Sequence, residues 1–195
     1  MTTIKKSEYE TVLAEYTSRE SIISLLQKHR EYMEMIPSMR RSQESIITIP
    51  LPLAKVNDFR TVKVDSLGEE GNNEVTHIPC DIAILMCDPE WQIKVGVEIL
   101  VFIHRPGEDF SDLLRRWRQS QIYLKKEYEW IMPDAEAHMF SDIAEKILPL
   151  FVIFPHTEAR IKKGFTSANL PCVEYSSELK NDRDDLQTSE LELTD

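Results

Sequence analysis

Tyr9, Val12, Leu13 and Tyr16 repeat at the spacing of one helix face, and Ile22, Leu25, Leu26, His29, Met33 and Ile36 form a second such stripe. Between them Thr17-Ser-Arg-Glu20 reads as a capping box that starts the second helix, and Pro37 marks its end. Ser45 to Leu53 is apolar and β-branched but carries Pro50 and Pro52. It predicts an edge strand or an extended connector. Thr61 to Val64 suits a short strand, and Ser66 to Asn73, with two glycines and two asparagines, suits a loop.

Two strong strands follow, Asp81 to Cys87 and Gln92 to Ile103, with Asp88-Pro-Glu-Trp91 between them as a four-residue hairpin loop. His104-Arg-Pro-Gly107 breaks the chain. A long helix is predicted from Asp109, with Asp112 as cap partner and a stripe of Phe110, Leu114, Trp117, Gln121, Leu124 and Tyr128. After Met132-Pro-Asp134 the pattern predicts a helix from Ala135 to Ile147 and a buried strand from Leu150 to Phe154. A helical turn or two from Thr157, stopped at Gly164, and a last strand from Cys172 to Tyr175 complete the series. This order predicts an α/β fold with a central sheet and helices on its faces. Residues 1–175 read as one domain. Residues 176–195 have no apolar period and predict an acidic, disordered tail.

Charge sharpens that division. The 195 residues carry a net −11, and the tail, with seven acids and two bases, accounts for −5 of it, leaving −6 for the rest. An acidic sum argues against indiscriminate nucleic-acid binding but not against a local basic patch. The polar start predicts no signal peptide. The longest apolar run, Ile147 to Phe154, holds Pro149 and is too short for a membrane span. Cys80, Cys87 and Cys172 lack CxxC spacing and suit free thiols in the cytoplasm. The five glycines form neither a dinucleotide fingerprint nor a P-loop, and the five histidines have no paired zinc spacing. Cys80 has no neighbouring histidine motif that would make it a nucleophile. Trp91, Trp117 and Trp130 suit core packing, with base stacking as the alternative.

The hairpin carries the one constellation with chemical content. With residues 88–91 as its loop, Cys87 pairs with Gln92 and Asp81 falls opposite Glu98. Two carboxylates at ~5 Å and an effective dielectric of ~20 repel by ~3 kcal/mol. A Mg²⁺ or Mn²⁺ shared between them would reverse that sign. Three other readings stand beside this one. Asp81 is a strand-edge residue at the surface; Glu98 is exposed or pairs with a cation such as Arg118; or a different register separates the two. On the long helix, Gln121 sits inside the apolar stripe and needs a partner. Arg115, Arg116, Arg118, Lys125 and Lys126 flank it, as a solvated face or as phosphate contacts.

Pro79-Cys-Asp81, the hairpin, Val97-Glu98-Ile-Leu100 and the basic helix with Gln121 together resemble the PD-(D/E)xK nuclease superfamily, which includes restriction endonucleases and Holliday-junction resolvases. The resemblance covers roughly residues 17–175 through the order α, β, β, β, α, β. It implies a restriction-endonuclease-like central mixed sheet and a metal-dependent nuclease hydrolysing phosphodiesters in DNA or RNA. By the same resemblance Asp81 and Glu98 would hold Mg²⁺ or Mn²⁺, and a first-helix glutamate often joins them. Glu20 is that candidate beside its capping-box reading. The chain departs from the family where a lysine would stand two residues after Glu98, which is Leu100. Lys94 and His104 share the face of Glu98 at ~13 Å and ~20 Å along the strand. Arg118 and Lys125, one turn either side of Gln121, are the candidates for a cation moved to the helix. The alternative is a lapsed site on a binding or assembly module. The partners implied are nucleic acid, a protein meeting the acidic tail, and a second copy of the chain as a homodimer.

Overall fold

The computed structural model describes residues 4–29, 46–57, 73–88, 93–132 and 146–176. Two helices open it, α1 (Lys6–Glu15) and α2 (Arg19–Lys28). Strands β1 (Ile46–Pro50), β2 (Leu53–Asn57), β3 (Asn73–His77), β4 (Ile82–Asp88) and β5 (Ile93–Ile103) follow. Then come α3 (Phe110–Leu124), β6 (Tyr128–Trp130), β7 (Lys146–Ile153), α4 (Ala159–Ser167) and β8 (Cys172–Glu174). The fold is α/β. A mixed five-stranded sheet has the order β1-β4-β5-β7-β8, and a separate antiparallel sheet has the order β3-β2-β6. The pairs β1–β4 and β4–β5 are antiparallel, while β5–β7 and β7–β8 are parallel.

The main sheet is buried on both faces, so its strands read as continuous apolar runs rather than alternating ones. Ile82, Ile84 and Met86 of β4 and Ile99, Val101 and Ile103 of β5 face Val12, Ile22, Leu25 and Leu26 of α1 and α2. Ala83, Leu85, Leu100 and Phe102 face the other way, toward Leu113, Trp117 and Leu124 of α3 and Ile161 and Phe165 of α4. Tyr128 and Trp130 from the small sheet complete that second layer. Each fully buried side chain of this size contributes about 1.5–3 kcal/mol.

The break between the first two helices stands where the pattern placed it, but Ser18 is the cap, accepting from the Ser21 N–H, and Glu20 lies exposed in the first turn. Asp109 caps α3, reciprocally with Asp112, as expected. That helix ends at Leu124, four residues before the end of the expected stripe, and its buried side is Leu113, Arg116, Trp117, Ser120 and Leu124. Gln121 is half-buried, at the margin of that side. Tyr128 and Trp130 obey a two-residue period instead and enter β6. The strand around Pro50 lies at the sheet edge, where a missing N–H is tolerated.

Gly164 does not stop the last helix. A Cβ there would lie 2.8 Å from the Phe110 ring, so this glycine lets α4 press against the start of α3. Strand β7 starts at Lys146, so Lys146 and Ile147 extend a strand rather than close a helix. The rest of that predicted helix, the end of the second helix, the strand at 61–64, the loop at 66–72, the hairpin loop beyond Asp88 and the tail beyond Ser176 lie outside the described residues.

Candidate functional site

Register decides where the two carboxylates stand. Near the turn Asp88 pairs with Ile93 and Cys87 with Lys94, but beyond a shift between Leu85 and Cys87 the pairs are Leu85–Glu98 and Ile82–Val101. Strand β4 therefore runs through Asp88, one residue further than expected, and β5 carries extra residues in the stretch that contains Gly96. Glu98 lies opposite Leu85. Asp81, just before β4, lies beyond the Val101 pair, about four residues or ~13 Å from Glu98 along the strand. The expected side-by-side pair is thus replaced by two separate buried carboxylates, both without solvent exposure.

Asp81 is held by its backbone, which donates to Val101 O at 2.9 Å and accepts from Leu51 N at 2.8 Å. Its side chain receives five hydrogen bonds. The Ile103 N–H (2.6 Å) and Arg116 Nη2 (2.5 Å) donate to Oδ2. The Tyr9 hydroxyl (2.8 Å) and Arg105 Nη2 (2.7 Å) and Nε (3.2 Å) donate to Oδ1. The first helix reaches this carboxylate through Tyr9.

Arg116, expected on the solvent side of its helix, is 6% exposed. Its guanidinium also donates to Ile103 O (3.1 Å), Pro79 O (3.3 Å) and both oxygens of Glu108 (3.2 and 3.3 Å), and it lies over the Phe102 ring. Glu108 further accepts from the Arg105 N–H at 2.9 Å. The Thr157 hydroxyl oxygen accepts from Phe154 N and meets His104 Nδ1 at 3.1 Å, while His104 Nε2 lies 3.0 Å from Glu108 O. The Glu108 carbonyl oxygen can only accept, so His104 Nε2 carries a hydrogen. Two carboxylates and two guanidiniums so form a network without net charge.

Burial, and then the negative charge of Asp81, push the Tyr9 hydroxyl up to about 12, so it remains a donor. The same two causes raise the Cys80 thiol well above its ordinary value, and with complete burial they leave it an inert core residue.

Glu98 has different surroundings. Tyr128 Oη donates to its Oε2 at 2.7 Å and Trp130 Nε1 to its Oε1 at 3.0 Å. Both aromatic groups come from β6, so Glu98 ties the small sheet to the main one.

The remaining candidates disperse. Arg115 pairs with Asp112 on the helix surface, and Arg118 and Lys125 are exposed, with Lys126 half-buried at the helix end. Arg115, Arg118 and Lys125 make no contact with Asp81 among the described residues. Nor do three or more histidine, cysteine, aspartate or glutamate side chains gather there as a metal-binding group. Asp81 has its oxygens occupied by cationic and backbone donors. As a donor set, this network suits a carboxylate already neutralised by guanidinium rather than a Mg²⁺ or Mn²⁺ ligand. Tyr9 reads in the sequence only as part of an apolar stripe, and Arg105 and Glu108 carry no site reading there. Their only signal was Arg105 in the turn directly after the strand that Asp81 joins.

Among the described residues no helix is long and apolar enough to cross a membrane. No family model, curated protein or solved structure matches the chain.

Proposed function

We propose that this chain is a catalytically lapsed protein of PD-(D/E)xK-like fold that acts as a binding module for a nucleic-acid backbone. The observation that carries the lapse is the pair of guanidiniums on Asp81, Arg105 at 2.7 Å and Arg116 at 2.5 Å, which take the place a cation would have. Support for the fold comes from the order α2, β1, β4, β5, α3, β7, with three antiparallel strands and a fourth parallel to the third. Binding rests on α3, whose outward side carries Arg115, Arg118 and Lys125. Such contacts follow the phosphate backbone and confer affinity without sequence preference.

Fluorescence anisotropy with short labelled DNA and RNA duplexes and single strands tests this. Binding in chelator should equal binding in Mn²⁺, with no cleavage in either. Arg118→Ala with Lys125→Ala should flatten the plot of log affinity against log salt by roughly 1 per lost phosphate contact. Cleavage in Mn²⁺ that Asp81→Asn abolishes would restore the active-nuclease reading. Absence of binding at about 50 mM salt would end the nucleic-acid assignment, since electrostatic affinity is greatest at low salt.

A further inference from the structure

Positive charge in this acidic chain is collected on one helical layer. Residues 110–126 and 159–167, which make up α3 with its end and α4, hold eight bases and one acid, against a net −11 for the whole chain. The two helices lie together, with Phe110 and Phe165 ring centroids 5.0 Å apart. Of the exposed bases, Arg115 and Arg160 have partners in Asp112 and Glu158. No acid among the described residues pairs with Arg118, Lys125 or Lys163. Ile122, 61% exposed, is in the same outward stripe of α3 as Arg118 and Lys125.

The opposite charge is at hand. Residues 177–195 hold seven acids and two bases, with Leu179, Leu186, Leu191 and Leu193 among them. They continue from β8, the edge strand of the main sheet, where Lys162 of α4 bonds Glu174 at 2.5 Å and Lys28 of α2 bonds Ser176 at 3.0 Å, so this segment leaves the fold at the sheet edge between the two helical layers. Nineteen residues extend at most roughly 60–70 Å, enough to follow α4 and α3.

We propose that residues 177–195 dock on the α3–α4 face in the same chain, acids on Arg118, Lys125 and Lys163 and leucines over Ile122, and so compete there with other polyanions. The surface is the one invoked above for nucleic acid, but the docking does not depend on that binding.

Zero-length carbodiimide crosslinking of the full chain, without nucleic acid, followed by peptide mass spectrometry, tests the docking. Crosslinks should join tail carboxylates to Lys125, Lys126 or Lys163 in the monomer band. Their yield should fall about fivefold or more from about 50 to about 500 mM salt, as the Debye length shrinks from roughly 14 to roughly 4 Å. Replacing the seven tail acids by their amides in the full chain should raise heparin affinity about tenfold, by freeing the face. Crosslinks to Lys5, Lys6 or Lys28 instead, crosslinks only between two chains, or heparin affinity unchanged by the amides would overturn the proposal. Failure to bind nucleic acid would leave these results standing, and their failure would leave nucleic-acid binding open.

Discussion

Replacing Arg116 by methionine is the most searching perturbation of this fold. The methionine keeps most of the aliphatic volume on the Phe102 ring but removes the donor at 2.5 Å to Asp81 Oδ2 and the donors to Glu108, Ile103 O and Pro79 O. Asp81, with no solvent exposure, would retain Arg105 and Tyr9 on one oxygen but only the Ile103 amide on the other. Breaking a buried ion pair by removing one partner costs about 3–5 kcal/mol, because the remaining charge stays desolvated. For a domain of this size that corresponds to a Tm lower by roughly 6–20 °C. Equilibrium urea unfolding of the parent, Arg116→Met, Asp81→Asn and the double variant would give the coupling directly. The double variant should lie above the sum of the two losses, since position 81 then carries no charge to compensate and the loss of the Arg116–Glu108 pair is common to both Arg116 variants. Salt up to about 1 M should change the coupling little, whereas a surface pair would be screened away. An Arg116→Met loss below about 1 kcal/mol, or additive single losses, would refute the reasoning and leave Arg105 as the effective counter-charge.

Glu98→Leu keeps the size of the side chain but strands the Tyr128 O–H and the Trp130 N–H, at about 1–3 kcal/mol per orphaned donor. A variant as stable as the parent in urea, with unchanged Trp130 fluorescence, would show that those bonds do not hold the small sheet in place. Tyr9 has its hydroxyl raised to about 12, above the unfolded value near 10. Its contribution is complete below about pH 10 and is lost as pH rises through about 12. Tyr9→Phe should therefore flatten the alkaline fall of Tm in that window, and an unchanged slope would mean that another group governs it.

The sheet core was legible in the sequence because strands buried on both faces announce themselves as long apolar runs, as 82–87 and 97–103 do. The capped start of α3 was legible for a local reason, since Asp109 and Asp112 act within one turn. Register was not legible. It depends on a shift in β5 that no short-range pattern marks except Gly96, and the error moved Glu98 by four residues from Asp81. The small sheet escaped notice because β2 and β6 are short and Tyr128 continued a helical spacing. Asp81 and Glu98 stood out correctly as carboxylates in apolar surroundings. The donors that satisfy them come from afar: Tyr9 is 72 positions away from Asp81, and Trp130 is 32 away from Glu98.

Asp81 is bonded from both faces of the main sheet, which divides the two hydrophobic clusters. Tyr9 reaches it from the α1 side and Arg116 from the α3 side. A sheet with separate cores on its two faces invites piecemeal melting, one face fraying while the other persists. A single carboxylate gripped from both sides couples them: peeling away α1 strips a donor from a group that α3 also holds, and the reverse is equally true. One aspartate thereby links the layers on the two faces of the sheet, at the end where β5 finishes in Ile103.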